Sequence, residues 1–209
     1  LLSMFGVDLG YSEKQLEQNA WQILLYQSFA IAVVVLWSLF SDWQFSSVIT
    51  LSSAVQALAY MMLWIQIRKT SSVAGISKNM LLLQVFSLVA RLSSTVFYNG
   101  YLPTDRSGQH LYQALDLFCL GLVMSLLWAV SFAHRHTYDA QSDSCHMWWM
   151  PLAAAAIAFW VHPSLNNSTI GDMYWTTALW LETFSMVPQI WMMSRKRLHG
   201  SLSHHVCKC

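Results

Sequence analysis

The stretch that decides the fold of this chain lies at 175–194 and reads WTTALWLETFSMVPQIWMMS. As a helix it would be about 30 Å long, which matches the hydrocarbon core of a bilayer. Glu182 lies near its middle, and Pro188 and Gln189 follow one to two turns later. A carboxylate at the centre of a bilayer costs about 2.5–3.5 kcal/mol on insertion scales, so Glu182 is predicted to face protein or water. Because proline lacks a backbone N–H, Pro188 and Gln189 predict a helix kink beside a polar cavity.

The composition of the whole chain places it among membrane proteins. Of its 209 residues, 56% are hydrophobic and 10% are charged, whereas soluble domains average about 25% charged residues. The net charge of +1 gives no indication of nucleic acid as a partner. Long apolar runs without strand-like alternation predict an all-α polytopic membrane protein embedded in a lipid bilayer.

The apolar runs predict about six transmembrane helices and divide the chain into four parts. A polar lead-in occupies 1–20, an uncharged first span follows at 21–40, a transmembrane bundle fills 41–194, and a basic cytosolic tail ends the chain at 195–209. Within the bundle, the predicted spans are 46–67, 80–98, 111–134, 147–161 and 173–194. The first of these is rich in serine and threonine, which indicates either close helix packing or a surface that faces a cavity.

The distribution of basic residues predicts the orientation of these spans. One side of the membrane carries Arg106, and Arg91 falls within a span. The other side carries Lys14, Arg68, Lys69, Lys78, Arg135, Arg195, Lys196, Arg197 and Lys208. Cytosolic segments carry the excess of lysine and arginine. The N-terminus, the 68–79 and 135–146 loops and the C-terminal tail are therefore predicted to be cytosolic.

Three ionisable residues fall within the predicted spans: Arg91, Asp116 and Glu182. Arg91 is a permanent cation whose planar guanidinium suits a carboxylate. One interpretation is an internal Arg91–Glu182 ion pair that holds two helices together, and the other is a site where a ligand carboxylate competes for Arg91. Asp116 lies nearer the edge of the membrane, where we expect a capping role in contact with water. Trp175 would be either an interfacial anchor or the wall of a cavity.

The sequence contains no set of residues typical of catalysis or of metal binding. It has no nucleophile, base and orienting group at a helical spacing, and no phosphate-binding loop. His204, His205, Cys207 and Cys209 lie close together, but their spacing fits no common zinc site. We therefore expect no enzymatic activity, no metal and no cofactor.

Three segments, in order along the chain, resemble the ER-lumen-protein-retaining receptors, the KDEL receptor family. They are RKTSSVAGISKNMLLLQVFSLVAR at 68–91, TYD at 137–139 with Asp143, and the pattern W-x6-E-x5-PQ at 175–189. The resemblance covers about 46–205 and implies a bundle of PQ helices, similar in fold to sugar transporters of the SWEET type. The added span at 21–40 and the HPS at 162–164 resemble a plant receptor-like branch with an extra N-terminal segment.

The resemblance implies a receptor for C-terminal KDEL-like peptides that retrieves lumenal proteins from the Golgi to the ER. Its implied location is the membrane of both organelles, and its implied partners include the coat proteins of ER–Golgi vesicles. Arg91 would bind the terminal carboxylate of the ligand, and Asp172 would meet the ligand lysine. Trp175 and Glu182 would belong to the same pocket.

The chain departs from the family pattern at three implied pocket positions. Gln56 stands in the place of a pH-sensing histidine, Ser94 in that of an aspartate and Ile49 in that of an arginine. The resemblance also implies two further spans beyond Cys209, so the chain is expected to be a fragment. Two alternatives stay open: a small-solute transporter of the PQ type, and a degenerate receptor-like membrane protein that binds no ligand.

Overall fold

A computed structural model describes residues 47–98, 101–102, 108–164 and 168–206, with scattered positions from 24 to 38. Over these residues the chain forms helices and their connections, without a β-strand, which confirms the predicted all-α fold. The lead-in at 1–20 lies outside the described residues, and so does most of the span at 21–40. The positions that are described in that span are helical.

Five α-helices form the bundle in the part of the chain from 47 to 206. Helix α1 is Ser47–Thr70, α2 is Lys78–Phe97, α3 is Gly108–Trp128, α4 is Trp149–Trp160 and α5 is Thr169–Val206. A π-helix, Ala129–Ala133, continues α3, and a 3-10 turn, Arg135–Thr137, follows it. Helix α5 continues past 194 through most of the predicted tail, as far as Val206.

The helices have the lengths and surfaces of a membrane protein. Among the described residues, three segments are long and apolar enough to span a bilayer: Val48–Thr70, Lys78–Phe97 and His110–Ala133. Helix α4 is apolar but has 12 residues, fewer than the roughly 20 that a perpendicular span needs. Large apolar side chains such as Phe97 and Trp160 are 76% and 81% exposed, as expected of a surface in contact with lipid. The count of six spans stays a prediction.

Helix α2 lies at the centre of the bundle and packs against both α3 and α5, while α1 packs on α3 and α4 on α5. Leu81 and Leu88 of α2 meet Val123 of α3 in one buried apolar cluster. Leu83 of α2 meets Leu181 of α5 in a second cluster. The apolar clusters occupy part of the buried surface of α2. Its other buried positions carry polar side chains, which lie between α1, α3 and α5.

The carboxylate of Asp143 stabilises the N-terminus of α2. Its carboxylate accepts hydrogen bonds from the Ser77 hydroxyl at 2.7 Å and from the backbone N–H groups of Lys78 at 2.8 Å and Asn79 at 3.3 Å. An anion at this position is also favoured by the helix dipole. The Tyr138 hydroxyl donates a further bond at 2.6 Å, and burial together with this carboxylate raises the pKa of Tyr138. The loop before α4 therefore supports the N-terminus of α2, where Ser77 is the N-cap residue.

Gln189 of α5 holds the connection between α1 and α2 from the other side. Its side-chain oxygen accepts from the Ser77 N–H at 2.9 Å, and its amide donates to the Gly75 carbonyl at 2.7 Å. Gly75 has a φ of +97°, a left-handed conformation that favours glycine. Pro188 lies inside the continuous helix α5, and the predicted kink at this pair stays a prediction. We call Asp143 and Gln189, with these partners, the loop clamp.

Candidate functional site

The guanidinium of Arg91 lies at the centre of a polar cluster between α1, α2, α3 and α5. Its Nε and Nη2 donate to the two carboxylate oxygens of Asp116 at 2.9 and 2.8 Å. Its Nη1 donates to Glu182 Oε1 at 2.8 Å, and Nη2 also donates to Gln56 Oε1 at 2.8 Å. Four of the five N–H groups of the guanidinium are thus engaged. We call Arg91, Asp116, Glu182 and Gln56 the arginine cluster.

Asp116 is the most deeply buried member of the arginine cluster, with no exposed surface. It pairs with Arg91 in the strong two-bond geometry that a guanidinium and a carboxylate favour, and the Ser53 hydroxyl donates a further bond at 3.1 Å. The expectation that Asp116 is a solvated cap is wrong. Position 116 lies two turns inside α3, and the arginine offsets the cost of burying a carboxylate there.

Glu182 and Gln56 form the more accessible side of the cluster. The side chain of Glu182 is 29% exposed, against 0% for that of Asp116. The Gln56 amide donates to Glu182 Oε1 at 2.9 Å while its oxygen accepts from Arg91, so it bridges the ion pair. The predicted Arg91–Glu182 ion pair is confirmed, and it joins α2 to α5.

A line of further hydrogen bonds continues from Gln56 into the bundle. Its Nε2 lies 3.2 Å from the Tyr60 hydroxyl and 3.4 Å from Gln84 Oε1. Gln84 donates to the Ser185 hydroxyl at 2.6 Å, which in turn donates to the Glu182 carbonyl at 2.6 Å. Unpaired polar groups are costly in an apolar surrounding, so this network stabilises the position of the cluster as well as satisfying its own members.

A cavity of about 240 Å³ lies beside the arginine cluster. Arg91 and Glu182 lie in its wall, together with Ser53 of α1, Tyr112 of α3 and Trp175 of α5. Small-ligand sites usually measure about 300–1,000 Å³, so this space suits a carboxylate with a short attached group. Since Ser53 both lines the cavity and bonds to the cluster, the cavity-facing interpretation of the first bundle span holds at this position.

The start of α5 packs against Tyr101. The rings of Trp175 and Tyr101 are stacked with centroids 5.4 Å apart, and Trp175 lines the cavity, which supports its interpretation as a cavity wall. Asp172 is 2% exposed and accepts a hydrogen bond from the Tyr101 hydroxyl. The carboxylate that the resemblance assigned to a ligand lysine is therefore held within the protein in this conformation.

Sequence patterns did not single out Tyr112 or Tyr101 for the site. Tyr112 lies four residues before Asp116, and residues four apart share one face of a helix. That spacing is a signal by which Tyr112 could have been found. Tyr101 lies in a connection, and its contact with α5 depends on how the chain returns, which no local pattern contains.

Fold and cluster together define an all-α membrane protein with a buried arginine that faces a small cavity. A family model described as ER lumen protein retaining receptor matches residues 72–207. This match covers well over half of the chain and includes Arg91, Asp116 and Glu182, whereas Gln56 precedes it. The chain belongs to the ER lumen protein retaining receptor family.

Curated relatives carry the same description at modest identity. The chain is 27% identical to ER lumen protein-retaining receptor B of Arabidopsis thaliana over 140 residues, which are 66% of this chain and 60% of that protein. It is 24% identical to ER lumen protein-retaining receptor 3 of Danio rerio over 150 residues, which are 71% and 64%. With ER lumen protein-retaining receptor 2 of Bos taurus it shares 27% over 148 residues, 70% and 64%. The chain thus covers less than two thirds of each of these relatives.

Proposed function

We propose that this chain is a receptor for C-terminal KDEL-like retention signals and takes part in the retrieval of lumenal proteins from the Golgi to the ER. The observation that carries the proposal is the guanidinium of Arg91 in the wall of a cavity. The family to which the chain belongs and the names of its relatives support the same function. The ligand group that the site would recognise is the terminal carboxylate of the peptide.

The partners of Arg91 suggest how a ligand carboxylate would enter. Asp116 holds one edge of the guanidinium from a fully buried position and would keep it oriented. Glu182 holds the other edge through one bond and is partly exposed. A peptide carboxylate would replace Glu182 on Nη1 and also use the remaining N–H of the same nitrogen, so the exchange would raise the number of engaged guanidinium N–H groups from four to five.

The charges of the cluster predict that peptide binding takes up a proton. Arg91 faces two carboxylates, Asp116 and Glu182, with the hydroxyls of Tyr60 and Tyr112 nearby. A third carboxylate from the ligand would leave one cation among three anions in a poorly hydrated space, where like charges disfavour joint ionisation. Protonation of one carboxylate removes this repulsion, so affinity would rise as pH falls, despite the glutamine at position 56.

Two further residues would contact the rest of the peptide. Trp175 already lines the cavity and would provide an apolar wall. Asp172 would meet a ligand lysine after its hydrogen bond to Tyr101 is released. In the orientation that the basic residues predict, with a cytosolic N-terminus, this end of α5 is lumenal. The basic segment 195–197 would then face cytosolic vesicle coat proteins.

A direct test is peptide binding by the full chain in nanodiscs at about pH 5.5. A peptide that ends in Lys-Asp-Glu-Leu should bind, and the same peptide with a C-terminal amide should not. Arg91→Ala should abolish binding, whereas Arg195→Ala, which removes a half-buried arginine about three turns further along α5 than Glu182, should leave it unchanged. Equal binding of the acid and the amide would contradict the proposal without depending on how any variant folds.

A further inference from the structure

A second cavity lies at the opposite end of the bundle from Trp175. It is a groove of about 670 Å³ between the last turns of α1 and the end of α3 with its π-helix. Its apolar lining includes Trp64 of α1 and Met124 and Trp128 of α3, and Arg68 and His134 lie at its mouth. It shares no lining residue with the cavity beside the arginine cluster.

The π-helix that continues α3 lines one side of the groove. At Ala129–Ala133 the backbone forms a wider turn, which ends with the His134 N–H donating to the Ala129 carbonyl at 2.8 Å. Single π-helical turns occur frequently at functional sites. Here the small side chains of Ala129 and Ala133 face the groove, and Trp128 is left 61% exposed. The fold thus leaves an apolar channel open along the surface that contacts lipid.

The mouth of the groove is cationic. The guanidinium of Arg68 lies 4.6 Å above the ring of Trp64, a cation–π contact that positions the charge over the groove. His134 faces it from the end of α3, and the described lining contains no carboxylate. In the predicted orientation this end of the bundle is cytosolic, where the membrane leaflet carries the anionic lipids.

We propose that this groove binds an anionic phospholipid of the cytosolic leaflet. One acyl chain would lie along Met124 and Trp128, and the phosphate would accept hydrogen bonds from Arg68. A phospholipid fits both halves of the groove, since it joins an apolar chain to an anionic headgroup at the depth where the spans end. The inference does not depend on peptide binding by the arginine cluster.

The test is native mass spectrometry of the full chain released from nanodiscs of phosphatidylcholine with a minor fraction of phosphatidylserine. The wild-type chain should retain phosphatidylserine in preference to phosphatidylcholine. Arg68→Gln should weaken its retention about tenfold or more, beyond the roughly fivefold that diffuse attraction by one basic residue at the membrane surface provides. The matched control is Arg135→Gln, which removes an exposed arginine from the same end but outside the groove, and it should weaken retention by no more than about fivefold.

A second variant tests the apolar half without a change of charge. Ala133→Phe places a ring in the groove from an exposed position and should abolish selective retention. Arg68→Lys should keep most of it, which separates the charge from the fold of α1. Equal loss in Arg68→Gln and Arg135→Gln would overturn the proposal in favour of diffuse attraction. Full retention in Ala133→Phe would overturn it too, as would a lipid-free dimer whose interface covers the groove.

Discussion

The arginine cluster and the loop clamp are two buried polar networks of opposite design. In the loop clamp, the Asp143 carboxylate is surrounded by neutral donors from Ser77, Lys78, Asn79 and Tyr138. In the arginine cluster, one cation is shared between two carboxylates and a glutamine, beside a cavity. These donors around Asp143 belong to the backbone and to side-chain hydroxyls, so a ligand cannot take their place. Arg91 has two carboxylate partners, and a ligand carboxylate can replace one of them. This difference separates a structural network from one suited to a ligand.

The largest expected effect concerns the arginine cluster. Arg91→Ala should weaken peptide binding by roughly 100-fold or more, because removal of one partner of a buried charge pair costs about 2–5 kcal/mol. Isothermal calorimetry with the Lys-Asp-Glu-Leu peptide measures this loss. Affinity within threefold of wild type would place the peptide elsewhere and remove the functional distinction between the two networks.

The loop clamp should respond in stability rather than in binding. Asp143→Ala removes the anion from the N-terminus of α2 and should lower the free energy of unfolding by about 2–3 kcal/mol. Thermal unfolding in detergent measures the change, and peptide affinity of the folded fraction should stay within twofold. Gln141→Ala, which changes an exposed residue of the same loop, is the control and should leave the free energy of unfolding within about 0.5 kcal/mol of wild type. A loss of affinity with unchanged stability would reverse the assignment of the two networks.

Glu182→Gln tests whether the surplus negative charge of the arginine cluster limits peptide affinity. The amide can keep the hydrogen bond to Arg91 while removing one negative charge, so peptide affinity at about pH 7.4 should rise by roughly tenfold. The dependence of affinity on pH should flatten at the same time. Thr183→Ala, which changes an exposed neighbour of Glu182 on α5, keeps both carboxylates and should retain the wild-type pH profile. Weaker binding by Glu182→Gln at both pH values would show that the ligand requires this carboxylate.

A smaller effect is expected at Gly171 near the start of α5, which packs against Tyr98 at the end of α2. A Cβ at Gly171 would lie 2.9 Å from the Tyr98 ring, so Gly171→Ala should cost about 1 kcal/mol in stability as the ring shifts. The variant should also alter the stack of Tyr101 on Trp175 and change tryptophan fluorescence. Gly121→Ala meets open space and should be neutral. An unchanged melting temperature for Gly171→Ala would show that this end of the bundle repacks freely.

The fold was largely predictable because apolar runs in a membrane protein are long and their chemistry is local. The predicted spans 80–98 and 147–161 lie within three residues of the observed α2 and α4. The end of α5 was less predictable, since hydropathy reports where a chain leaves lipid and not where its backbone hydrogen bonds stop. Asp143 and Gln189 of the loop clamp were both identified as motif residues, but their shared partner Ser77 could not be predicted.

The sequence by itself determined the helical class and the presence of Arg91 and Glu182 within long helical segments. Each of these depends on composition or on neighbours along one helix. Only the tertiary structure decided that Asp116 is the main partner of Arg91, that Gln56 bridges the ion pair, and that Asp172 is held by Tyr101. These contacts join residues up to 126 positions apart. Which carboxylate reaches a guanidinium depends on how four helices pack, and no pattern along a single helix contains that geometry.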